Sequence, residues 1–312
     1  MKKLYLGVDL GGTEIKIAIV DQFGVIIEET GIANSGTSMP KAVTGEIIRQ
    51  ARSMRNFSHV VGTGVGVAGD IDQEKGFVRF SPNLANWKKV PLRTMLRKHL
   101  PGEILVDNDA NVAALGACWL DAHGKARNLI CVTLGTGVGG GIVCQGKLYR
   151  GSSGTAGEIG HMSFDHDGPK CNCGSYGCIE RYIGAPYLSR FAEGLVEAEG
   201  SKIISELVKN NLNAISPAVL SQAALMGDQL AKRIWVDAGE KLGVVLASVI
   251  NFYNPDMIVL AGGLSKAGRL LLDPVNRMVK ARAFTTSAKE CKIVISRYTQ
   301  KLGVVGAALL AK

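Results

Sequence analysis

The chain reads as an α/β protein with two domains around a cleft, and three observations predict that class. Strand-like segments alternate with helical ones over most of the length. A pattern of strand, glycine turn, strand, polar turn and strand occurs twice, about 125 residues apart, and marks an internal duplication of one β-meander. At 312 residues the chain is about twice the size of a typical domain, so each half can bury its own core.

The first meander is Leu4–Asp9, the turn Gly11-Gly12-Thr13, Ile15–Val20, a turn signal at Asp21–Gly24 and Val25–Glu29. Pro40 to about Met54 has helical spacing through Val43, Ile47, Ile48 and Ala51, and His59–Val67 returns to strand. Pro91–Leu100 reads as helix, Glu103–Val106 as a short strand, and Ala110 to about Ala122 as helix. The second meander is Asn128–Leu134, a glycine-rich run over Gly135–Gly141, Ile142–Cys144, a turn at Gln145-Gly146 and Lys147–Tyr149. Helices are then expected at 186–199, 203–208, 217–226 and 228–251, strands at 257–260 and 292–296, and a terminal helix at 303–311. No low-complexity linker interrupts the chain, so a tight junction across the cleft is expected.

With 46% hydrophobic and 20% charged residues, the composition excludes long disorder, coiled coil and collagen. The net charge of +9 is scattered, the densest groups being Lys88-Lys89 and Arg97-Lys98-His99. No nucleic-acid-binding module accompanies it, so no nucleic-acid partner is expected. Lys2-Lys3 leads into a strand that Asp9 interrupts, which is not a secretory signal. The longest strongly apolar helical stretch, Leu242 to Ile250, is far short of the roughly 20 residues of a membrane span, so no membrane association is expected. Seven cysteines, an odd count, argue against a disulfide framework. A cytoplasmic protein is expected.

Both glycine turns, Asp9-Leu10-Gly11-Gly12-Thr13 and Leu134-Gly135-Thr136-Gly137, place backbone N–H groups and a Thr hydroxyl at the mouth of a hairpin. Such a turn can approach phosphate oxygens closely. Neither is a P-loop or a dinucleotide fingerprint. One turn alone could be an ordinary hairpin; two on duplicated meanders favour a phosphate role. Asp9 could hold Mg²⁺ through water, and Lys16 on the next strand could face a phosphate or simply solvent. Asp107-Asn108-Asp109 stands where a strand meets a helix. Asp109 is either that helix's N-cap or a general base for a substrate hydroxyl. Cys171, Cys173 and Cys178 lie within eight residues, and with an imidazole they supply the four ligands of a closed, structural Zn²⁺ site. His161 and His166 both compete for that fourth position. Glu158 and Glu180 flank the cluster, and with the amides of Asn83 and Asn108 they could line a polyol site.

Together these motifs resemble the ROK family of sugar kinases and regulators over essentially the whole chain. The resemblance implies the duplicated actin-like, hexokinase-type ATPase fold, with a small domain at 1–108 plus 298–312 and a large one at 109–297 carrying the zinc segment. It implies that Asp9, Gly11, Gly12, Thr13, Lys16, Gly135, Thr136 and Gly137 serve the ATP phosphates, and that Gly262 and Gly263 lie on the adenosine side. Asp109 would be the base. Asn83, Asn108, Glu158, His161 and Glu180 would hold the sugar, and His161, Cys171, Cys173 and Cys178 would bind zinc. His161 would use one nitrogen for each task. The implied activity is ATP-dependent phosphorylation of a hexose, glucose to glucose 6-phosphate first, with ATP, Mg²⁺ and Zn²⁺ as cofactors and a homodimer as the assembly. Kinases of N-acetylmannosamine, N-acetylglucosamine or fructose are the alternatives, and a sugar-responsive regulator is further off because the first strand already begins at Leu4. Two segments depart from the family's usual pattern: Ala68-Gly69-Asp70, and Ala85-Asn86-Trp87, where Asn86 can take the positive φ of the family's glycine.

Overall fold

The computed structural model describes residues 2–34 and 39–312. Strand β1 (Leu4–Leu10) is apolar almost throughout, as a strand covered on both faces must be. It pairs antiparallel with β2 (Glu14–Asp21), which pairs antiparallel with β3 (Ile26–Ala33). Helix α1 (Pro40–Ser53) packs Val43, Ile47 and Ala51 against Leu6, Val8 and Leu10 on one face. On the sheet's other side β1 pairs parallel with β4 (Val60–Val67).

Three short strands, β5 (Asp70–Asp72), β6 (Phe77–Phe80) and β7 (Lys88–Val90), then form a separate antiparallel sheet. Sequence reading missed it because strands of three or four residues carry too little alternation to register. Helix α2 (Leu92–Leu96) is half the expected length, and β8 (Glu103–Asn108) pairs parallel with β4. The first sheet is therefore ordered β3-β2-β1-β4-β8.

Helix α3 (Asp109–Leu120) leaves the end of β8 directly. The second meander is β9 (Leu129–Leu134), β10 (Val138–Cys144) and β11 (Lys147–Tyr149). β10 starts earlier than expected because the glycine run is itself strand. A Cβ at Gly141 would lie 2.3 Å from the Ala110 carbonyl, so glycine there lets α3 approach the strand.

A helical stretch follows: α4 (Glu180–Ile183), α5 (Ala185–Glu199), α6 (Lys202–Leu207), α7 (Pro217–Leu225) and α8 (Gln229–Tyr253). α8 is capped by the Asp228 side chain and ends at Asn254 in the left-handed region. After β12 (Met257–Ala261), helices α9 (Arg269–Arg282) and α10 (Thr285–Glu290) precede β13 (Lys292–Ile295) and α11 (Leu302–Leu310). Neither α9 nor α10 was anticipated: Pro274 stands inside α9, and α10 spans six residues. The second sheet is ordered β11-β10-β9-β12-β13, which repeats the order third, second, first, fourth, fifth of the first sheet.

Contacts gather the chain into two compact units, 1–131 with 141–157 and 297–312, and 132–140 with 158–296. Sequence reading divided the chain at 108/109, whereas α3 groups with the first unit because it packs on α11. A Cβ at Gly306 of α11 would lie 1.7 Å from the Val112 carbonyl of α3, so the two helices touch backbone to backbone. On that side Val304, Val305, Ala308 and Leu309 meet Tyr5, Ala18 and Val20. No helix among the described residues is long and apolar enough to cross a membrane.

Candidate active site

In the first unit, Asp9 stands opposite Lys16 in the β1–β2 register, so both side chains share one face. The Asp9 carboxylate rests against the first turn of α11: a Cβ on Gly303 would be 2.2 Å from its Oδ2. Burial and the nearby negative charge of Asp109 push Asp9 up to about 6, against the opposing pull of Lys16. The Lys16 side chain is half-buried, and its Nζ donates to the Gln300 carbonyl at 3.1 Å and to its Oε1 at 2.7 Å. The Gly11-Gly12-Thr13 turn is closed by the Gly11 N–H to Glu14 O (3.1 Å) and tied down by Asn34 Nδ2, which donates to Gly11 O (2.8 Å). Gly12 meets Asn83: a Cβ there would stand 3.0 Å from the Asn83 carbonyl.

The strand-to-helix junction corrects one sequence expectation. The N-cap of α3 is Asn108, not Asp109: Asn108 Oδ1 accepts from Ala110 N at 2.8 Å and Asn111 N at 3.4 Å. Its Nδ2 donates to the Gly69 carbonyl at 2.9 Å, which fastens the divergent Ala68-Gly69-Asp70 segment to the junction. Asp109 thus begins the helix one residue in, with Oδ1 2.9 Å from Ala110 N. Beneath it, fully buried Asp107 accepts from Asn111 Nδ2 (2.8 Å) and from Arg150 Nε and Nη2 (both 2.7 Å). Sequence reasoning missed Arg150, which no motif flags. The other departure also resolves: the positive φ of its neighbourhood belongs to Lys89 (56°), and Asn86 takes no positive φ.

In the second unit, the two glycines of the Gly135-Thr136-Gly137 turn differ in purpose. Among the described residues nothing stands within 4 Å of where a Gly135 Cβ would lie, so that side is open to a ligand. A Cβ at Gly137 would lie 2.4 Å from Glu180 Oε2, which also accepts the Val138 N–H at 2.9 Å. Gly262, at φ 93°, lies against the end of β9, where a Cβ would be 2.3 Å from the Leu134 carbonyl. The loop from β12 through Gly262 and Gly263 therefore begins beside the glycine turn.

The same unit brings together His161, Cys171, Cys173 and Cys178, whose ligand atoms all lie within 4.8 Å of one another. Cys173 and Cys178 sulfurs are 3.6 Å apart, and Cys171 Sγ is 3.7 Å from His161 Nδ1. Tetrahedral zinc with Zn–S of ~2.3 Å requires S–S edges of ~3.8 Å, so the donor set fits the ion. Burial and the adjoining thiols push the Cys178 thiol up to about 12. Gly174 and Gly177, at φ 97° and 63°, make the tight turns that converge the sulfurs. His166 is exposed and paired with Asp167 at 2.9 Å, outside the cluster, which leaves the imidazole position to His161. His161 turns Nδ1 to the thiols and Nε2 to Glu158, 3.9 Å from its Oε2.

Comparison with known proteins gives these features a family. The ROK family's sequence profile matches residues 5–312. A glucokinase of Halalkalibacterium halodurans is 35% identical over 315 residues, spanning 99% of this chain and 94% of that protein. The crystal structure of a ROK family glucokinase from Streptomyces griseus in complex with glucose and AMPPNP superposes with a TM-score of 0.84 at 32% identity, covering 99% of both chains. A putative xylose repressor of Caldicellulosiruptor is 31% identical over 309 residues, 97% of this chain but 76% of that protein. The duplicated sheets, the paired glycine turns and these full-length matches agree on the actin-like, hexokinase-type fold, and the chain belongs to the ROK family.

Proposed function

We propose that this protein is an ATP-dependent hexose kinase that converts glucose to glucose 6-phosphate. The observation that carries the reading is similarity to glucokinases along the whole chain, including one crystallised with glucose and AMPPNP. The sugar's 6-hydroxyl oxygen attacks the γ-phosphorus of ATP, the bond to the β-phosphate oxygen breaks, and ADP leaves with that electron pair. The hydroxyl proton passes to the Asp109 carboxylate and then to solvent. Asn108's capping role supports this assignment, because it sets Asp109 at the first position of a helix whose cap is held by buried Asp107.

Backbone N–H groups of the two glycine turns, with Thr13 and Thr136, serve the phosphates, and Lys16 adds positive charge beside Asp9. The open space at Gly135 supports a ligand there, and Gly262 and Gly263 serve the adenosine. Asn83, Asn108, Glu158, His161 and Glu180 bind the sugar hydroxyls. Mg²⁺, held through water by Asp9, would screen the phosphate charge. Zinc on His161, Cys171, Cys173 and Cys178 would hold the segment that aims Glu158 and the His161 Nε2 at the substrate. Seven reduced cysteines, three of them in this cluster, support a cytoplasmic setting, and family membership supports a homodimer.

The test is ADP release with Mg-ATP against a panel of hexoses and N-acetylhexosamines. Strong preference for glucose is expected. Preference for an N-acetylhexosamine or fructose would reassign the substrate, and silence from folded, zinc-loaded protein would overturn the kinase reading in favour of a sugar-responsive protein.

A further inference from the structure

The carboxylate of Glu180 is held by the wrong partner for a residue that only binds sugar. Its Oε2 accepts the Val138 N–H at 2.9 Å and fills the space over Gly137, while Oε1 takes no hydrogen bond among the described residues. The rest of the same segment grips the turn as well. The Ala185 N–H donates to the Gly135 carbonyl at 2.9 Å, and a Cβ on Gly184 would be 2.9 Å from the Thr136 carbonyl. The segment from Glu180 at the start of α4, two residues after Cys178, to Ala185 at the start of α5 therefore clasps the glycine turn from Gly135 to Val138.

Gly137 is explained by this contact alone. Its φ lies outside the left-handed region, so no turn geometry requires glycine there. What a side chain would strike is the tip of Glu180.

We infer that Glu180 is a positioning residue for the nucleotide turn as well as a sugar ligand, so that glucose and ATP bind cooperatively through one carboxylate. A sugar hydroxyl donating to Oε1 would fix the carboxylate, and the fixed Oε2 would hold the Val138 N–H and the turn in the shape that receives phosphates. By linkage the nucleotide must tighten sugar binding by the same factor. The inference rests on the kinase reading above.

Calorimetric Kd values for glucose alone, for AMPPNP alone, and for each with the other saturating test it, in wild type and four variants. In the wild type each ligand should tighten the other at least about fivefold. Gly137→Ala displaces a flexible carboxylate, not backbone, so it should fold with its zinc. It should weaken glucose binding about tenfold or more with no nucleotide present, and abolish the coupling. Gly135→Ala, in open space on the same turn, should weaken AMPPNP and leave glucose alone. Glu180→Ala should weaken AMPPNP in the absence of sugar. Glu180→Gln, which keeps an acceptor for the Val138 N–H, should restore that affinity while glucose stays weak. If the wild type binds both ligands and Gly137→Ala leaves glucose affinity within twofold, or if the wild type shows no coupling, the inference is overturned and the kinase reading stands. A folded wild type that binds no sugar of the panel would overturn both.

Discussion

Two carboxylates of the first unit, Asp9 and Asp109, feel each other's charge, and their different surroundings assign them different work. Asp109 lies at the start of α3, directly after β8, where a carboxylate can serve as base toward a substrate hydroxyl. Asp109→Asn should fold and bind glucose like the wild type while turnover falls by about 10²–10⁴. Turnover within about tenfold would remove Asp109 from the base role. Asp9 is instead raised to about 6 by burial and by Asp109. A raised acid holds its proton more tightly in the native state than in the unfolded chain. Its ionisation therefore costs stability progressively from about pH 4 to about pH 6, and the full cost is present above that window. With the shift from 3.8 to about 6, this amounts to roughly 2–3 kcal/mol. Asp9→Asn should thus raise the melting temperature at pH 8 in Mg²⁺-free buffer and leave it unchanged at pH 3.5, although it lowers activity. Equal melting temperatures at pH 8 would show that Asp9 is relaxed by water. None of this is legible in the sequence: the motif places Asp9 at a strand end, but only the fold sets Gly303 and Asp109 beside it.

At the scale of elements, the β8–α3 junction is where motif reading succeeded and where it fell short. Asp107-Asn108-Asp109 was legible as a strand-to-helix signal, yet which residue caps was not, because Asn and Asp are nearly equal as N-caps. Tertiary contact decided it: Asn108 reaches Gly69 with its amide nitrogen, a bond that a carboxylate could not donate. Arg150, 43 residues further along, was invisible because its role exists only once β11 lies near the junction. It neutralises fully buried Asp107 with two 2.7 Å contacts. Arg150→Met should strand that charge and cost about 3 kcal/mol, with kcat reduced more than the glucose KM because Asp109 loses its footing. Asp107→Asn combined with Arg150→Met should recover most of the stability. Additive losses in that double-mutant cycle would mean the pair is not coupled. The cysteine cluster was the most legible element, since three thiols at that spacing have few uses other than holding a metal. Even so, the choice of His161 over His166 needed the fold, which turns the second ring to solvent.

At the scale of the molecule, the duplication was readable because both meanders keep the same turn chemistry, and the repeated strand order of the two sheets bears it out. The unit boundaries were not readable, because they follow which helix packs on which, and the α3–α11 contact joins residues nearly 200 positions apart in the sequence. The division has a thermodynamic consequence. The first unit owns a core that runs from Leu6 through Trp87 to Val106 and includes no member of the metal cluster. The second unit contains all four cluster residues, and its clasp on the glycine turn follows Cys178 directly. Metal binding to the native cluster is folding free energy for the unit that holds it. Chelation, or Cys173→Ser, should therefore lower the melting of the second unit by roughly 5–10 °C for a loss of about 3 kcal/mol, and leave the first where it was. Scanning calorimetry would then resolve two transitions, and metal analysis should find about one zinc per chain before treatment and none after. A metal-free protein that melts at the wild-type temperature would show that four converging donors are held together by packing alone.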